Sequence, residues 1–214
     1  MKTFKRNQIE EAIAALSDEG NKTPSSALRT RIKRLLDTDR NLGRKVRSKN
    51  PEENQFAFYS EDAPGKGVEI LFSEYEAFAL HLGLRLLGHG WPQGFVVSVL
   101  RRERADLEAQ HSRILKQDPN ELFDHQKIME KAVPGALAFN NADPVFLLIV
   151  SPTVSLEDNL QQLSSGVRHG ELAAGEFRKQ HNAISTSFFE LATPAHYLHD
   201  ALAKTEPRKR GRGS

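Results

Sequence analysis

One segment of the chain combines a narrow apolar stripe with an almost wholly cationic opposite side, and this pattern restricts the fold more than any other. Four aliphatic residues recur at helical spacing: Leu28, Ile32, Leu35 and Leu36. At about 100° per residue they span an arc of about 100°. The far side of the same segment carries Arg29, Thr30, Lys33, Arg34, Asp37 and Arg40. The pattern therefore predicts an amphipathic helix that packs along one face and presents cations on the other.

The residues before this helix predict a turn and an earlier helix. Thr23 is expected to act as the N-cap, and Pro24 to occupy the first helical position, which its fixed φ angle suits. A periodic segment from about Phe4 to Leu16 predicts the earlier helix, and Gly20-Asn21 marks its end. Two helices joined by a short turn, the second of them basic, have the layout of a helix-turn-helix.

The charge of the chain is strongly segregated although its total is small. The 214 residues include 30 Lys and Arg against 28 Asp and Glu, which gives a formal net charge of +2. Residues 22–49 carry ten bases and two acids, a local balance of +8, whereas residues 50–100 carry two bases and seven acids, a balance of −5. A concentrated basic block favours a polyanionic partner.

Composition also excludes several classes of protein. The chain has no cysteine, which rules out disulfides, thiolate metal sites and cysteine nucleophiles. Its basic start is followed by acidic residues, and no window approaches 18 uninterrupted apolar residues. We therefore expect a soluble cytoplasmic protein that has no membrane segment and needs no cofactor or metal.

Extended segments and further helices are predicted after the basic block. Residues 55–59 and 68–72 are short apolar runs on either side of turn chemistry at residues 62–67, and together they predict a β-hairpin with Lys66 near its tip. The Ser73-Glu-Tyr-Glu76 sequence has the spacing of a capping box. It predicts a helix that ends near Gly88, and another helix is expected from about residue 94 to residue 115.

The second half of the chain predicts a small α+β domain. Val145–Val150 is an apolar run that suits a buried strand, and residues 184–191 alternate weakly as a second strand does. Ser155–Asp158 resembles a capping box, and Thr193-Pro194 indicates the start of a last helix. We predict a mainly α winged-helix domain at 1–117, an α+β dimerisation or sensing domain at 118–203 and a disordered basic tail at 204–214.

The basic helix is the strongest functional signal. A cationic helix after a short turn suits the major groove of double-stranded DNA, where phosphates accept most of the cations and long arginine side chains reach guanine edges. The bases that lead into the hairpin are expected to contact the adjacent backbone, with the hairpin as a wing. The predicted DNA-binding residues are Arg29, Thr30, Lys33, Arg34, Arg40, Arg44, Lys45, Arg47 and Lys66.

This order of elements resembles the MerR-type winged-helix DNA-binding domain over about residues 4–115. Three stretches occupy comparable places: Phe72-Ser-Glu-Tyr-Glu76, Leu87-Gly-His-Gly-Trp-Pro92 and Val96-Val-Ser-Val-Leu100. The resemblance implies a transcriptional regulator that acts as a homodimer on an inverted repeat, with the 94–115 helix leading toward the dimer contact. Ala27–Ile32 supplies arginine without the tyrosines usual in the family, and metal sensing through cysteine is impossible here.

Other functions remain open at this level. The runner-up is a protein-interaction or assembly module of a phage or mobile element, in which the basic helix meets an acidic protein or binds nucleic acid without sequence preference. The regulator interpretation also allows a small-molecule or protein effector at 118–203, and a hydrolytic or metal-dependent enzyme built around the C-terminal histidines is a third class of function. His196 and His199 lie three apart beside Asp200, but no third metal ligand is placed by the sequence. No nucleophile pattern accompanies the histidines, so we do not expect an enzyme.

Overall fold

The computed structural model describes residues 2–17, 23–60, 69–132, 139–152 and 160–207, without the side chain of Gln161. These residues are mainly helical, with two small antiparallel sheets. The chain divides into two compact units: unit 1 comprises residues 1–104 and 197–214, and unit 2 comprises residues 105–196. The sequence predicted domain boundaries after residues 117 and 203, whereas the two units change after residues 104 and 196. None of the described helices is long and apolar enough to cross a bilayer.

Five helices and a two-stranded sheet make up most of the described part of unit 1. The elements in chain order are β1 (Thr3–Lys5), α1 (Arg6–Ser17), α2 (Ser26–Leu42), α3 (Pro51–Asn54), β2 (Leu71–Ser73), α4 (Glu74–Gly88) and α5 (Gln93–Arg102). The apolar stripe of α2 is buried as expected, with Ile32, Leu35 and Leu36 in the core and Leu28 half-buried. At Gly83 of α4 an added Cβ would lie 3.2 Å from Leu35 and 3.3 Å from Leu100, so α2, α4 and α5 pack closely there.

The cap of α2 lies two residues later than predicted. Ser25, not Thr23, is the N-cap, and its hydroxyl accepts a hydrogen bond from the Leu28 amide at 3.1 Å. Ser25 has the extended backbone that an N-cap needs. The capping box of α4 is confirmed, because the Ser73 hydroxyl accepts from the Glu76 amide and the Glu76 carboxylate accepts from the Ser73 amide.

The predicted hairpin is wrong in its strand pairing. Residues 55–59 form no strand, and β2 pairs antiparallel with the N-terminal strand β1, with Phe4 opposite Phe72. The reason lies in residues 56–59, which are all buried and whose backbone groups bond to side chains rather than to a second strand. The predicted turn at 62–67, with Lys66, lies outside the described residues.

The single helix predicted for residues 94–115 is also wrong. It is two helices, α5 and α6 (Arg104–Ile114), interrupted at Glu103, whose φ and ψ are −91° and 3°. The carbonyl of Arg101 accepts a hydrogen bond from the side chain of Gln55, which replaces a helical partner.

Unit 2 is built on a three-stranded sheet whose strand order is β4-β3-β5. Its strands are β3 (Val145–Ser151), β4 (Ser164–His169) and β5 (Ser185–Glu190), and both outer strands pair antiparallel with β3. The helices are α6, α7 (Pro119–Leu122), α8 (His125–Lys131), α9 (Gly170–Gln180) and the start of α10 (Ala192–Ala203). Every residue of β3 is buried, as its apolar run predicts.

Helix α9 covers one face of this sheet. Phe146, Leu148 and Val150 of β3 pack with Ala174 and Phe177 of α9 in one apolar cluster. The strand predicted at 184–191 and the helix predicted after Thr193 are confirmed as β5 and α10. The capping box predicted at 155–158 and the basic tail from residue 208 onward lie outside the described residues.

Candidate nucleic-acid interface

Helix α2 presents a row of exposed polar and cationic side chains on the side opposite its buried stripe. Arg29, Thr30, Arg31, Lys33 and Arg34 are all exposed. Four of the predicted DNA-binding residues therefore share one accessible helix surface, which we call the cationic face: Arg29, Thr30, Lys33 and Arg34.

Few intramolecular contacts occupy this surface. The Arg29 Nε lies 3.6 Å from Glu10, and its side chain is 53% exposed. The hydroxyl of Thr30 donates to the carbonyl of Ser26 at 2.8 Å. Lys33 and Arg34 form no ion pair with a described side chain. Both cations therefore remain available to an external anion.

The other predicted residues are separated from the cationic face. Arg40 is half-buried, with its guanidinium 3.4 Å from Asp37 and 6.0 Å from the centre of the Tyr59 ring. Burial also raises the pKa of this tyrosine to about 12. Lys45 pairs with Glu53 at 3.0 Å, and Arg44 is half-buried with its guanidinium 5.7 Å from the Phe56 ring.

Arg47 is exposed on the loop between α2 and α3. This loop follows Gly43, which ends α2 with a φ of +65°, a conformation that glycine adopts without strain. Among the described bases of the loop, Arg47 and Lys49 are exposed and have no ion pair with a described residue. Lys66 lies outside the described residues.

A buried ion pair fixes the C-terminal half of α2. The Arg101 Nε lies 2.6 Å from the Asp39 Oδ1, and the two side chains are 2% and 0% exposed. The Asp39 carboxylate also accepts hydrogen bonds from the amides of Ala57 at 3.1 Å and Phe58 at 3.0 Å. Arg101 donates to the Gly43 carbonyl at 2.9 Å and to the carbonyl of Asp39. Helix α2 is thus joined to α5 and to the 56–59 loop.

A second buried arginine holds the same loop from the other side. Arg104 donates to the carbonyls of Phe56 at 2.7 Å and Tyr59 at 2.9 Å, and its Nη2 lies 3.7 Å from Glu76. No sequence pattern predicted the roles of Asp39, Arg101 and Arg104. Asp39 is one of only two acids within residues 22–49, and this is the one sequence signal that distinguishes it.

The histidines do not form a metal centre in the described part of the chain, where no cluster of three ligand side chains occurs. His196 is buried, with Nε2 3.1 Å from the Ile114 carbonyl, whereas His199 pairs with Glu74. His81 of α4 differs, because its buried Nδ1 has no hydrogen-bond partner among the described residues. Burial, with a smaller contribution from the charge of Arg85, lowers the pKa of His81 to about 4.

No protein-family model and no curated protein match this chain.

Proposed function

We propose that the protein is a sequence-specific regulator that binds double-stranded DNA as a homodimer, with the cationic face of α2 in the major groove. The observation that carries the proposal is the exposure of Arg29, Thr30, Lys33 and Arg34 on one side of a helix whose other side is buried. The major groove is wide enough to admit an α-helix, and arginine recognises guanine through two parallel hydrogen bonds.

The buried contacts of Asp39 and Arg101 support a rigid presentation of this helix. A recognition helix that is already ordered loses little conformational entropy when it binds. Among the described residues of the loop, Arg47 is the strongest candidate for a phosphate contact beside the groove. Lys45 would have to break its ion pair with Glu53 before it could contact a phosphate. A backbone contact from Lys66 remains a prediction, as does the MerR-like arrangement.

Fluorescence anisotropy with labelled genomic fragments at several salt concentrations tests the proposal. We expect the logarithm of the association constant to fall with the logarithm of salt concentration at a slope steeper than about −3, because several phosphates are neutralised at once. A slope near zero would exclude phosphate-dominated binding.

Two substitutions separate base recognition from phosphate binding. Arg34→Ala should cost about 1–3 kcal/mol on the preferred sequence and reduce the preference for it. Arg47→Ala should weaken binding to all sequences alike and make the salt slope shallower by about 1. Lys179→Ala, an exposed position of α9 in unit 2, serves as the charge control. The groove assignment fails if Arg34→Ala and Lys179→Ala bind equally well.

The homodimer has its own test. Because the chain has no cysteine, Asn41→Cys, at an exposed position near the C-terminal end of α2 and outside the cationic face, provides a single attachment point for a spin label. On DNA, two recognition helices that occupy successive major grooves should place their labels roughly 34 Å apart. Pulsed electron paramagnetic resonance measures this distance, and a complex that yields no distance between labels would argue for a bound monomer.

A second candidate function is an assembly module that binds an acidic protein. Two apolar side chains near the C-terminal end of α2 favour it, since Leu42 is 57% and Val46 is 70% exposed. Heparin competition distinguishes the candidates, because a shape-specific protein contact survives a competing polyanion better than a phosphate-dominated one does.

A further inference from the structure

A cavity of about 440 Å³ opens in unit 1 where α1, the N-terminal part of α2 and α4 meet. Its volume lies within the range typical of small-molecule sites. The cavity lies beside the cap of α2, and the arginine that lines it from α2 is Arg31, which is not part of the cationic face.

Three aliphatic side chains give the cavity an apolar wall. Ile13 of α1 lines it and is 1% exposed, and Leu28 and Leu84 also line it and are half-buried. A DNA backbone presents charged phosphates on a convex surface, so it matches these three apolar side chains poorly. A compact ligand with an apolar body fits this wall better.

Positive charge surrounds the same space. Arg31 of α2 and Arg85 of α4 both line the cavity. The N-terminus of the 17-residue helix α2 adds a partial positive charge at the rim. These groups favour an anion.

His81 provides the observation that the helix terminus alone does not. It lines the cavity, and its buried Nδ1 has no hydrogen-bond partner among the described residues. A buried polar atom without a partner costs free energy, and such atoms in native proteins commonly mark a site that another group completes. His81 therefore adds to the cavity wall a polar ring that still lacks one hydrogen-bond partner.

We propose that this cavity binds a small organic carboxylate, with the carboxylate between Arg31 and Arg85 and the apolar body against Leu28 and Leu84. The imidazole of His81 supplies a further hydrogen-bonding group to the ligand. A free anion without an apolar body would use the cations but leave the apolar wall of the cavity uncovered.

Such a ligand would contact α2 near its N-terminal end, whereas the ion pair of Asp39 and Arg101 holds its C-terminal half. Its carboxylate would join α2 to α4 near Arg31, two residues from Arg29 of the cationic face. An effect of the ligand on DNA binding therefore rests on the proposed function, whereas the binding of the ligand itself does not.

The test is an NMR titration of the full chain with sodium benzoate in the absence of DNA. We expect saturable shifts of the His81 imidazole resonances with a Kd below about 10 mM, a value suited to a ligand of so few atoms. The spectrum of His81→Phe assigns those resonances. Shifts confined to other histidines, or the absence of saturation, would overturn the assignment.

Two neutralising variants and two other probes complete the experiment. Arg31→Gln, at an exposed position, and Arg85→Gln should each weaken benzoate binding about tenfold, as expected for a lost charge-assisted hydrogen bond. Lys179→Gln removes the same charge from unit 2 and should leave benzoate binding unchanged. Equal binding of benzamide would refute the role of the cations, and equal binding of inorganic phosphate would refute the role of the apolar wall.

A final measurement separates this inference from the proposed function. Saturable benzoate binding together with salt-insensitive DNA binding would retain the cavity assignment and reject the regulator. Salt-dependent DNA binding without benzoate binding would retain the regulator and reject the cavity assignment.

Discussion

Removal of the Asp39 carboxylate should destabilise unit 1 more than the loss of any exposed ion pair. Asp39→Ala would leave the Arg101 guanidinium buried without its anion, and it would also deprive the amides of Ala57 and Phe58 of their acceptor. Breaking a buried pair by removing one partner typically costs about 3–5 kcal/mol. Because two buried amides also lose their acceptor, we expect a value at or above about 4 kcal/mol.

A double-mutant cycle isolates the interaction between the two side chains. Arg101→Met keeps much of the side-chain volume and removes the charge, and the double variant with Asp39→Ala leaves neither charge buried. We expect the double variant to cost at least about 1 kcal/mol less than the sum of the single variants. The neighbouring Arg102 is 35% exposed and forms longer ion pairs, so Arg102→Met should cost less than about 1 kcal/mol.

Urea denaturation followed by tryptophan fluorescence measures these free energies. The only tryptophan of the chain, Trp91, lies in unit 1 and packs against Phe95 with ring centroids 5.1 Å apart. The signal therefore reports the unit that contains the ion pair. A cost below about 1 kcal/mol for Asp39→Ala, or additive single variants, would refute the reasoning.

Three further predictions concern packing, protonation and capping. In Gly166→Ala the new Cβ would lie 2.8 Å from the Phe177 ring, so thermal unfolding of unit 2 should show a loss of about 1–3 kcal/mol, whereas Gly175→Ala has open space and should gain about 0.5–1 kcal/mol. The pKa of His81 is about 4 in the folded chain against an ordinary value of 6.5. Because only the unfolded chain binds this proton between those two pH values, the free energy of unfolding is unaffected above pH 6.5 and should fall by up to about 3 kcal/mol as the pH falls toward 4. Urea titrations across this range should show the loss in the native chain and not in His81→Phe. Ser73→Ala removes one half of the capping box of α4 and should cost about 1 kcal/mol by the same assay, and an unchanged midpoint would contradict the cap.

Local patterns were enough to predict helices α1, α2, α4 and α10 and strands β3 and β5, whereas helices α3, α7, α8 and α9 were not predicted. The stripe of α2, the capping box at Ser73 and the apolar run of β3 each depend on residues close together in the chain, and all three are found in the structure. Strand β4 was missed because residues 164–169 have no strong apolar alternation, and their pairing with β3 is decided by distant residues.

The hairpin prediction failed because backbone hydrogen bonds can be made to side chains as well as to strands. Residues 55–59 look extended in sequence, yet their amides and carbonyls bond to Asp39 and Arg104 from other parts of unit 1. No pattern within five residues reveals such partners. The same argument explains the break at Glu103, where the side chain of Gln55 takes the Arg101 carbonyl.

The candidate interface was predictable in its helix and not in its surroundings. Exposure of Arg29, Lys33 and Arg34 follows from helical periodicity alone. The pairing of Lys45 with Glu53 and the half-burial of Arg40 depend on the path of the chain after Gly43, which a count of charges does not contain.

The discontinuity of unit 1 affects the order in which the protein can fold during synthesis. Unit 2 ends at residue 196, whereas unit 1 also needs residues from 197 onward. The side chain of Gln8 bonds to the hydroxyl of Thr205 at 3.2 Å, across 197 positions of sequence. During synthesis, every residue of unit 2 therefore emerges from the ribosome before the last segment of unit 1 does. Helix α2 emerges early, and unit 1 can complete its fold only after the C-terminal segment has been made. A chain truncated after residue 196 would contain all residues of unit 2 but would lack the C-terminal segment of unit 1.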